Sequence, residues 1–152
     1  MGSVANVLFV CTGNTCRSPM AEALLQFMKR SEEIKVKSAG VFAMDGSGAS
    51  PYAKDALLEK GIAFSHSSSL LSGKDVEWAT HILTMTGSHK QLMLEKFPDA
   101  RGKIHTLSEY VHPASEARDV LDPYGGPPEL YRATRDDLEE MLKLLVEKLE
   151  KE

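Results

Sequence analysis

Residues 7–10, Val-Leu-Phe-Val, contain no polar member and run straight into Cys11-Thr12-Gly13-Asn14-Thr15. A strand exposed on one face alternates, whereas an unbroken apolar run suits a strand buried on both faces of a sheet. Helices must then cover both sides, which restricts the chain to a layered α/β arrangement. Thr12, Gly13 and Asn14 read as a tight loop, after which Ser18 suits a helix N-cap and Pro19 the first helical position. Met20, Leu24, Phe27 and Met28 recur at helical spacing and predict one buried face.

The alternation continues. Ile34 and Val36, between lysines, predict a second strand, and Ser50-Pro51 opens a helix through Ala53, Ala56, Leu57 and Leu58 that Gly61 closes. The serine-rich Ser65–Ser72 reads as a connecting loop. Ile82, Leu83 and Met85 predict a third strand, Leu92–Phe97 a helix stopped before Pro98, and Ile104–Leu107 a fourth strand. His112–Pro128, with four prolines and Gly125-Gly126, reads as a long ordered loop. From Glu129, the stripe Leu130, Thr134, Leu138, Met141, Leu142, Leu145 and Leu149 marks a final helix, with Glu139–Lys143 and Glu147–Lys151 as i,i+4 pairs. The expected fold is a three-layer α/β sandwich with a central, mostly parallel four-stranded sheet flanked by helices. With 152 residues and no linker or repeat, residues 1–152 are expected to form one domain.

Composition removes several function classes. The formal charge is −4 and the basic residues are dispersed, so the stripe that nucleic acid requires is missing. No apolar run reaches the roughly 18 residues of a membrane span, and no basic-then-apolar signal peptide opens the chain. A cytoplasmic monomer that engages neither nucleic acid nor membrane is expected. Met1-Gly2-Ser3 lacks the Ser or Thr that myristoylation needs at position 6, which is Asn6, and resembles a start left by expression vectors. Two cysteines are too few for a disulfide framework, and the five histidines show no metal-ligand spacing, so neither a metal nor a cofactor is expected.

Reactivity is the better explanation for Cys11. A strand, a tight turn and a helix N-terminus aim backbone N–H groups at one point, a natural site for an anion. One glycine and no lysine in the loop disfavour a nucleotide P-loop. Arg17 can instead hold two phosphate oxygens in a bidentate fork while the amides of the loop take the rest. Cys11 would lie beneath the phosphorus, its thiolate favoured by the same amides, the helix dipole and Arg17. Ser18 can donate a hydroxyl hydrogen bond to the sulfur, and Asn14 can fix the loop through its side chain. For a general acid, Asp45, Asp75, Asp99, Asp119 and Asp122 all lie near loop signals, and this reading does not choose among them.

VCTGNTCRSP resembles the CxxxxxRS loop of the low-molecular-weight protein tyrosine phosphatases, LDPYGG their Asp-Pro loop, and SAGVFA at 38–43 their stretch after the second strand. The resemblance spans the chain. It implies that Cys11 is the nucleophile, Arg17 the phosphate clamp, Asn14 and Ser18 stabilisers and Asp122 the general acid. Residues Thr12, Gly13, Asn14, Thr15, Cys16 and Ser18 would line the phosphate site. The implied reaction passes through a cysteinyl phosphate and needs no cofactor. In such loops the second cysteine, Cys16, can form a reversible disulfide with an oxidised Cys11.

Tyrosine-directed members usually carry Ile or Leu where this chain has Thr15. In this the loop resembles the protein-arginine phosphatases, a bacterial branch of the family. A guanidinium needs acceptors, which Thr15 and an ionised Asp122 would supply and a phenyl ring would leave unpaired. Phe42 and Tyr124 are expected to wall the cleft. The sequence thus predicts a phosphatase for phosphoarginine in proteins, with phosphotyrosine as the alternative substrate. Arsenate reductase chemistry would need further cysteines, which are absent. A phosphate-binding redox sensor would leave Asp122 without a role.

Overall fold

A computed structural model describes residues 4–151. Met1-Gly2-Ser3 lie outside the described residues. The strands are β1 (Ala5–Cys11), β2 (Ile34–Gly40), β3 (His81–Thr84) and β4 (Ile104–Thr106). They form one parallel sheet in the order β2-β1-β3-β4. The helices are α1 (Arg17–Met28), α2 (Pro51–Leu58), α3 (Gly73–Trp78), α4 (Gly87–Lys96), α5 (Leu107–Val111) and α6 (Pro128–Lys151), with 3₁₀ turns at Pro98–Lys103 and Ala114–Glu116. The expected sandwich of helices around a four-stranded parallel sheet is the observed one.

The central strand explains the opening apolar run. Val7, Phe9 and Cys11 point into the cluster formed with α1, α2, α5 and α6, while Leu8 and Val10 point into the one formed with α3 and α4. Every residue from Val7 to Val10 is inaccessible to solvent. Connections leave β1 toward β2 on one side, and the chain later returns to β3 on the other. The ends of β1 and β3 therefore flank a topological switch point, where parallel sheets bind their ligands. Cys11 is the last residue of β1 and lies at that crevice.

Several local readings shift. α1 begins at Arg17 with Cys16 as N-cap, so Ser18 is a helical residue and caps nothing; its hydroxyl goes to Cys11 and Asn14 instead. Phe27, expected on the buried face, is 64% exposed, and Ala21 and Leu25 take its place beside Met20 and Leu24. β3 ends at Thr84, just short of Met85. β4 ends at Thr106 because that residue starts a capping box with Glu109 and turns the chain into α5. A second capping box, Ser72 with Asp75, starts α3. α4 starts at Gly87, five residues before the expected Leu92, with Thr86 accepting a hydrogen bond from the His89 amide. On α6 the predicted stripe is buried from Thr134 to Leu149 while Leu130, in its first turn, is half-buried, and Glu139 lies 3.5 Å from Lys60 beyond the end of α2.

α6 runs along α1, α2 and α5 and closes the cluster into which Val7 and Phe9 point. Leu138 lies at its centre with no accessible surface. Truncation there removes transfer free energy and leaves a cavity, so Leu138→Ala is expected to cost about 2–5 kcal/mol in urea unfolding.

Candidate active site

The loop from Thr12 to Cys16 joins β1 to α1, and Asn14 is its hub. Asn14 is fully buried and has a positive φ of 57°, a conformation asparagine tolerates better than most residues. Its Oδ1 accepts from the Ser69 amide at 2.9 Å, which fixes the side-chain amide's orientation. Nδ2 donates to Ser18 Oγ at 2.8 Å and to Ser38 Oγ at 2.9 Å. The Asn14 carbonyl accepts from His66 Nε2 at 2.7 Å.

These bonds decide where protons lie. Ser18 Oγ accepts from Asn14, so its own hydroxyl is free to donate to Cys11 Sγ, 2.8 Å away. Ser38 likewise accepts from Asn14 and donates to Glu22 Oε1, whose other neighbour is His66 Nδ1 at 4.0 Å. Burial pushes the Glu22 carboxyl up, and the Ser38 hydrogen bond opposes it.

The start of α1 adds amides that have no partner within a helix, together with the guanidinium of Arg17. Arg17 is buried, donates through Nη1 to the Val120 carbonyl at 3.1 Å, and holds Nη2 3.5 Å from Asp122 Oδ2. Val120 is in turn anchored by its own amide to the Met85 carbonyl at the end of β3. Asp122 also accepts from the Tyr124 amide through Oδ1 at 3.0 Å, inside the turn that the Gly126 amide closes onto the Pro123 carbonyl. The structure thus brings the Cys11 loop and the Asp-Pro loop together through Arg17.

The other four aspartates are engaged elsewhere or distant. Asp45 accepts from the Leu70 amide, Asp75 caps α3, Asp119 accepts from the Gly87 amide and Asp99 lies in the 3₁₀ turn after α4. Among the described residues, Asp122 is the aspartate that faces Arg17.

Cys16 is buried, with Sγ 3.7 Å from the Tyr131 hydroxyl and 3.9 Å from Thr15 Oγ1. Burial pushes its thiol up, against hydrogen bonds with Tyr131, Thr15 and Ser50. Both cysteines are free thiols. Phe42 and Tyr124 are 72% and 78% exposed and join the site through their backbones, the Phe42 amide donating to the Thr12 carbonyl and the Tyr124 amide to Asp122. Among the described residues no group of three or more His, Cys, Asp or Glu could hold a metal, and no helix is long and apolar enough to cross a membrane.

This arrangement can be compared with known proteins. The family model described as low molecular weight phosphotyrosine protein phosphatase matches residues 6–152. The chain belongs to that family. It is 53% identical over 146 residues to a protein-arginine-phosphatase of Geobacillus stearothermophilus, covering 96% of this chain and 97% of that one. The solved structure of the YwlE arginine phosphatase from Geobacillus stearothermophilus superposes with a TM-score of 0.92 at 51% identity, covering 97% of this chain and 94% of that one. A cysteine-to-serine mutant of a YwlE arginine phosphatase with a phosphorylated active-site serine gives a TM-score of 0.92 at 47% identity, covering 97% of both chains.

Within this family fold, sequence reasoning missed the partners that reach the loop from afar. His89 Nε2 lies 2.8 Å from Thr12 Oγ1, and His66, Ser38 and Glu22 back Asn14. Gly40 was also missed, though it lies in the SAGVFA stretch. A Cβ there would come within 2.5 Å of the Thr12 carbonyl oxygen and 2.9 Å of the Asn14 nitrogen. Pattern alone signals none of these contacts, since each is between residues distant in sequence.

Gly40→Ala therefore has to displace the loop backbone, with an expected stability loss of about 1–3 kcal/mol and a larger proportional loss of phosphatase turnover. A second expectation concerns acid. Burial, and next Arg17, push the His89 imidazole down to about 4 from an ordinary 6.5. Unfolding then takes up a proton between those values, so this contribution is complete above pH 6.5 and lost as pH falls toward 4. Melting temperatures measured from pH 7 to 4.5 should fall, and His89→Gln should flatten that slope.

Proposed function

We propose that the chain is a protein-arginine phosphatase that works through a cysteinyl phosphate. The observation that carries the phosphatase reading is the Arg17 bridge, with the Cys11 loop at one end and Asp122 3.5 Å away at the other. A nucleophile, an anion clamp and a proton carrier thereby share one crevice. The names of the relatives reported above, and the hydroxyl of Thr15 where a phenyl-binding loop would be apolar, favour phosphoarginine as the substrate.

In the proposed reaction the phosphoryl oxygens are held by the loop amides and the fork of Arg17. The Cys11 thiolate, steadied by the Ser18 hydroxyl, attacks phosphorus in line as the P–N bond breaks. Asp122 gives its proton to the departing nitrogen. Its carboxylate can then accept an N–H of the released guanidinium beside Thr15. After the arginine side chain leaves, the carboxylate takes a proton from water, whose oxygen attacks phosphorus and expels the thiolate. The products are inorganic phosphate and the original enzyme, with Asp122 protonated again.

With this reading go a cytoplasmic location, monomeric action and a single catalytic domain, each expected from the sequence. Phosphotyrosine is the competing substrate, because the exposed rings of Phe42 and Tyr124 would suit a phenyl group as well. Kinetics on phosphoarginine and phosphotyrosine peptides of one sequence separates the two, and the first is expected to turn over faster. Cys11→Ser should abolish phosphate release, and Asp122→Asn should lower kcat about 10²–10⁴-fold, the span of general acid catalysis. Thr15→Ile should move the preference toward phosphotyrosine. Equal turnover of both peptides by the wild type would overturn the arginine reading and leave the phosphatase reading intact.

A further inference from the structure

His89, in the first turn of α4, is 7% exposed, and its imidazole has one side-chain partner. Nε2 lies 2.8 Å from Thr12 Oγ1, and Nδ1 is buried without a hydrogen-bond partner among the described residues. An apolar side chain would fill such a place at lower cost, because a buried polar atom left unpaired forfeits its hydration. The contact with Thr12 is what the imidazole supplies in return.

The unpaired nitrogen also indicates the tautomer. Buried N–H groups without partners are rarer than under-satisfied acceptors, so the proton belongs on Nε2 and Nδ1 is a bare lone pair. Nε2–H then donates to Thr12 Oγ1. That leaves the threonine one lone pair and its hydroxyl proton, both directed away from the imidazole.

Thr12 is the first loop residue after Cys11, and its side chain is exposed. Its carbonyl is held by the Phe42 amide at 3.0 Å, and its hydroxyl by His89. Backbone and side chain are thus each held by a separate partner, and Thr12 is the residue next to the nucleophile in the chain. A valine of the same shape would present only methyl groups there.

We propose that Thr12, oriented by His89, is a specificity-determining residue whose oxygen accepts an N–H of the guanidinium leaving group. This deepens the phosphoarginine reading and rests on it. Thr12 would act alongside Thr15 and Asp122, while His89 is a positioning residue that works through Thr12. Burial and the neighbouring Arg17 keep the imidazole neutral at physiological pH, so it adds no positive charge against the guanidinium.

The test compares kcat and KM of wild type, Thr12→Val, Thr12→Ser, His89→Leu, His89→Gln and the Thr12→Val/His89→Leu double variant on the two phosphopeptides. Thr12→Val and His89→Leu should each lower the ratio of kcat/KM for phosphoarginine to that for phosphotyrosine about tenfold, beyond any loss common to both peptides, as expected for one lost hydrogen bond to a charged group. Thr12→Ser keeps the hydroxyl, and His89→Gln places an amide nitrogen at the same number of bonds from Cα as Nε2. Both should retain the wild-type ratio. The double variant should fall no further than either single one.

Equal losses on both peptides would overturn the proposal in favour of a purely structural role, and so would an unchanged ratio in Thr12→Val. Additive losses in the double variant would refute action of His89 through Thr12. Thr12 is itself exposed, so its variants decide the question even if His89→Leu fails to fold. A wild type without preference for phosphoarginine would remove the underlying substrate reading and this proposal with it; a wild type with that preference and an unshifted Thr12→Val would remove this proposal alone.

Discussion

A buried asparagine amide holds this site together. All the hydrogen-bonding capacity of the Asn14 side chain that the structure uses goes to Ser18, Ser38 and the Ser69 amide, each on a different segment of the chain. Satisfied in this way, a polar group in the interior fixes one geometry; half satisfied, it would cost more than an apolar residue. The left-handed turn at Asn14 and the close approach of Gly40 to the loop backbone both depend on that geometry being kept. So does the place of the Ser18 hydroxyl, whose oxygen accepts from the asparagine and lies 2.8 Å from the sulfur.

The site is shared between scaffold and loops in a way that follows from sheet topology. Cys11 closes the central strand, paired on one side with β2 and flanked on the other by β3, so the sulfur sits at the end of a buried strand. Asp122 comes from the long segment before α6, where the turn at Pro123–Gly126 and the docking of Val120 on Met85 hold it. The two come from opposite ends of the sequence and meet at Arg17. A buried guanidinium that bonds a backbone carbonyl and faces a carboxylate stays oriented before any phosphate arrives.

Much of this was legible in the chain. The apolar run at Val7–Val10 specified a strand covered on both faces, and the stripe along α6 specified its buried side, because periodicity directly reflects burial. Cys11, Arg17, Asn14 and Ser18 followed from what a turn between strand and helix can bind. Ser18 was misplaced by one level of structure: as a cap it matched a local rule, but the thiol and Asn14 competed for its oxygen and won. α3 and α5 are five or six residues long, too short to show a period, and begin in capping boxes that pattern reading did not weigh. Asp122 could not be told from four other aspartates without the family resemblance, and His66, His89 and Glu22 reach the loop across dozens of residues, where sequence spacing carries no information.

Thr15 contrasts with Asn14. Its side-chain oxygen makes one weak contact, 3.9 Å from the Cys16 sulfur, and the loop's shape owes it little beyond the carbonyl that receives the Ser50 amide. Any residue supplies that carbonyl. On the proposed reading of Thr15, position 15 would then be rewritten by a single codon change without disturbing the reactive sulfur, and a switch of clientele would be a far shorter evolutionary journey than the invention of a new catalyst.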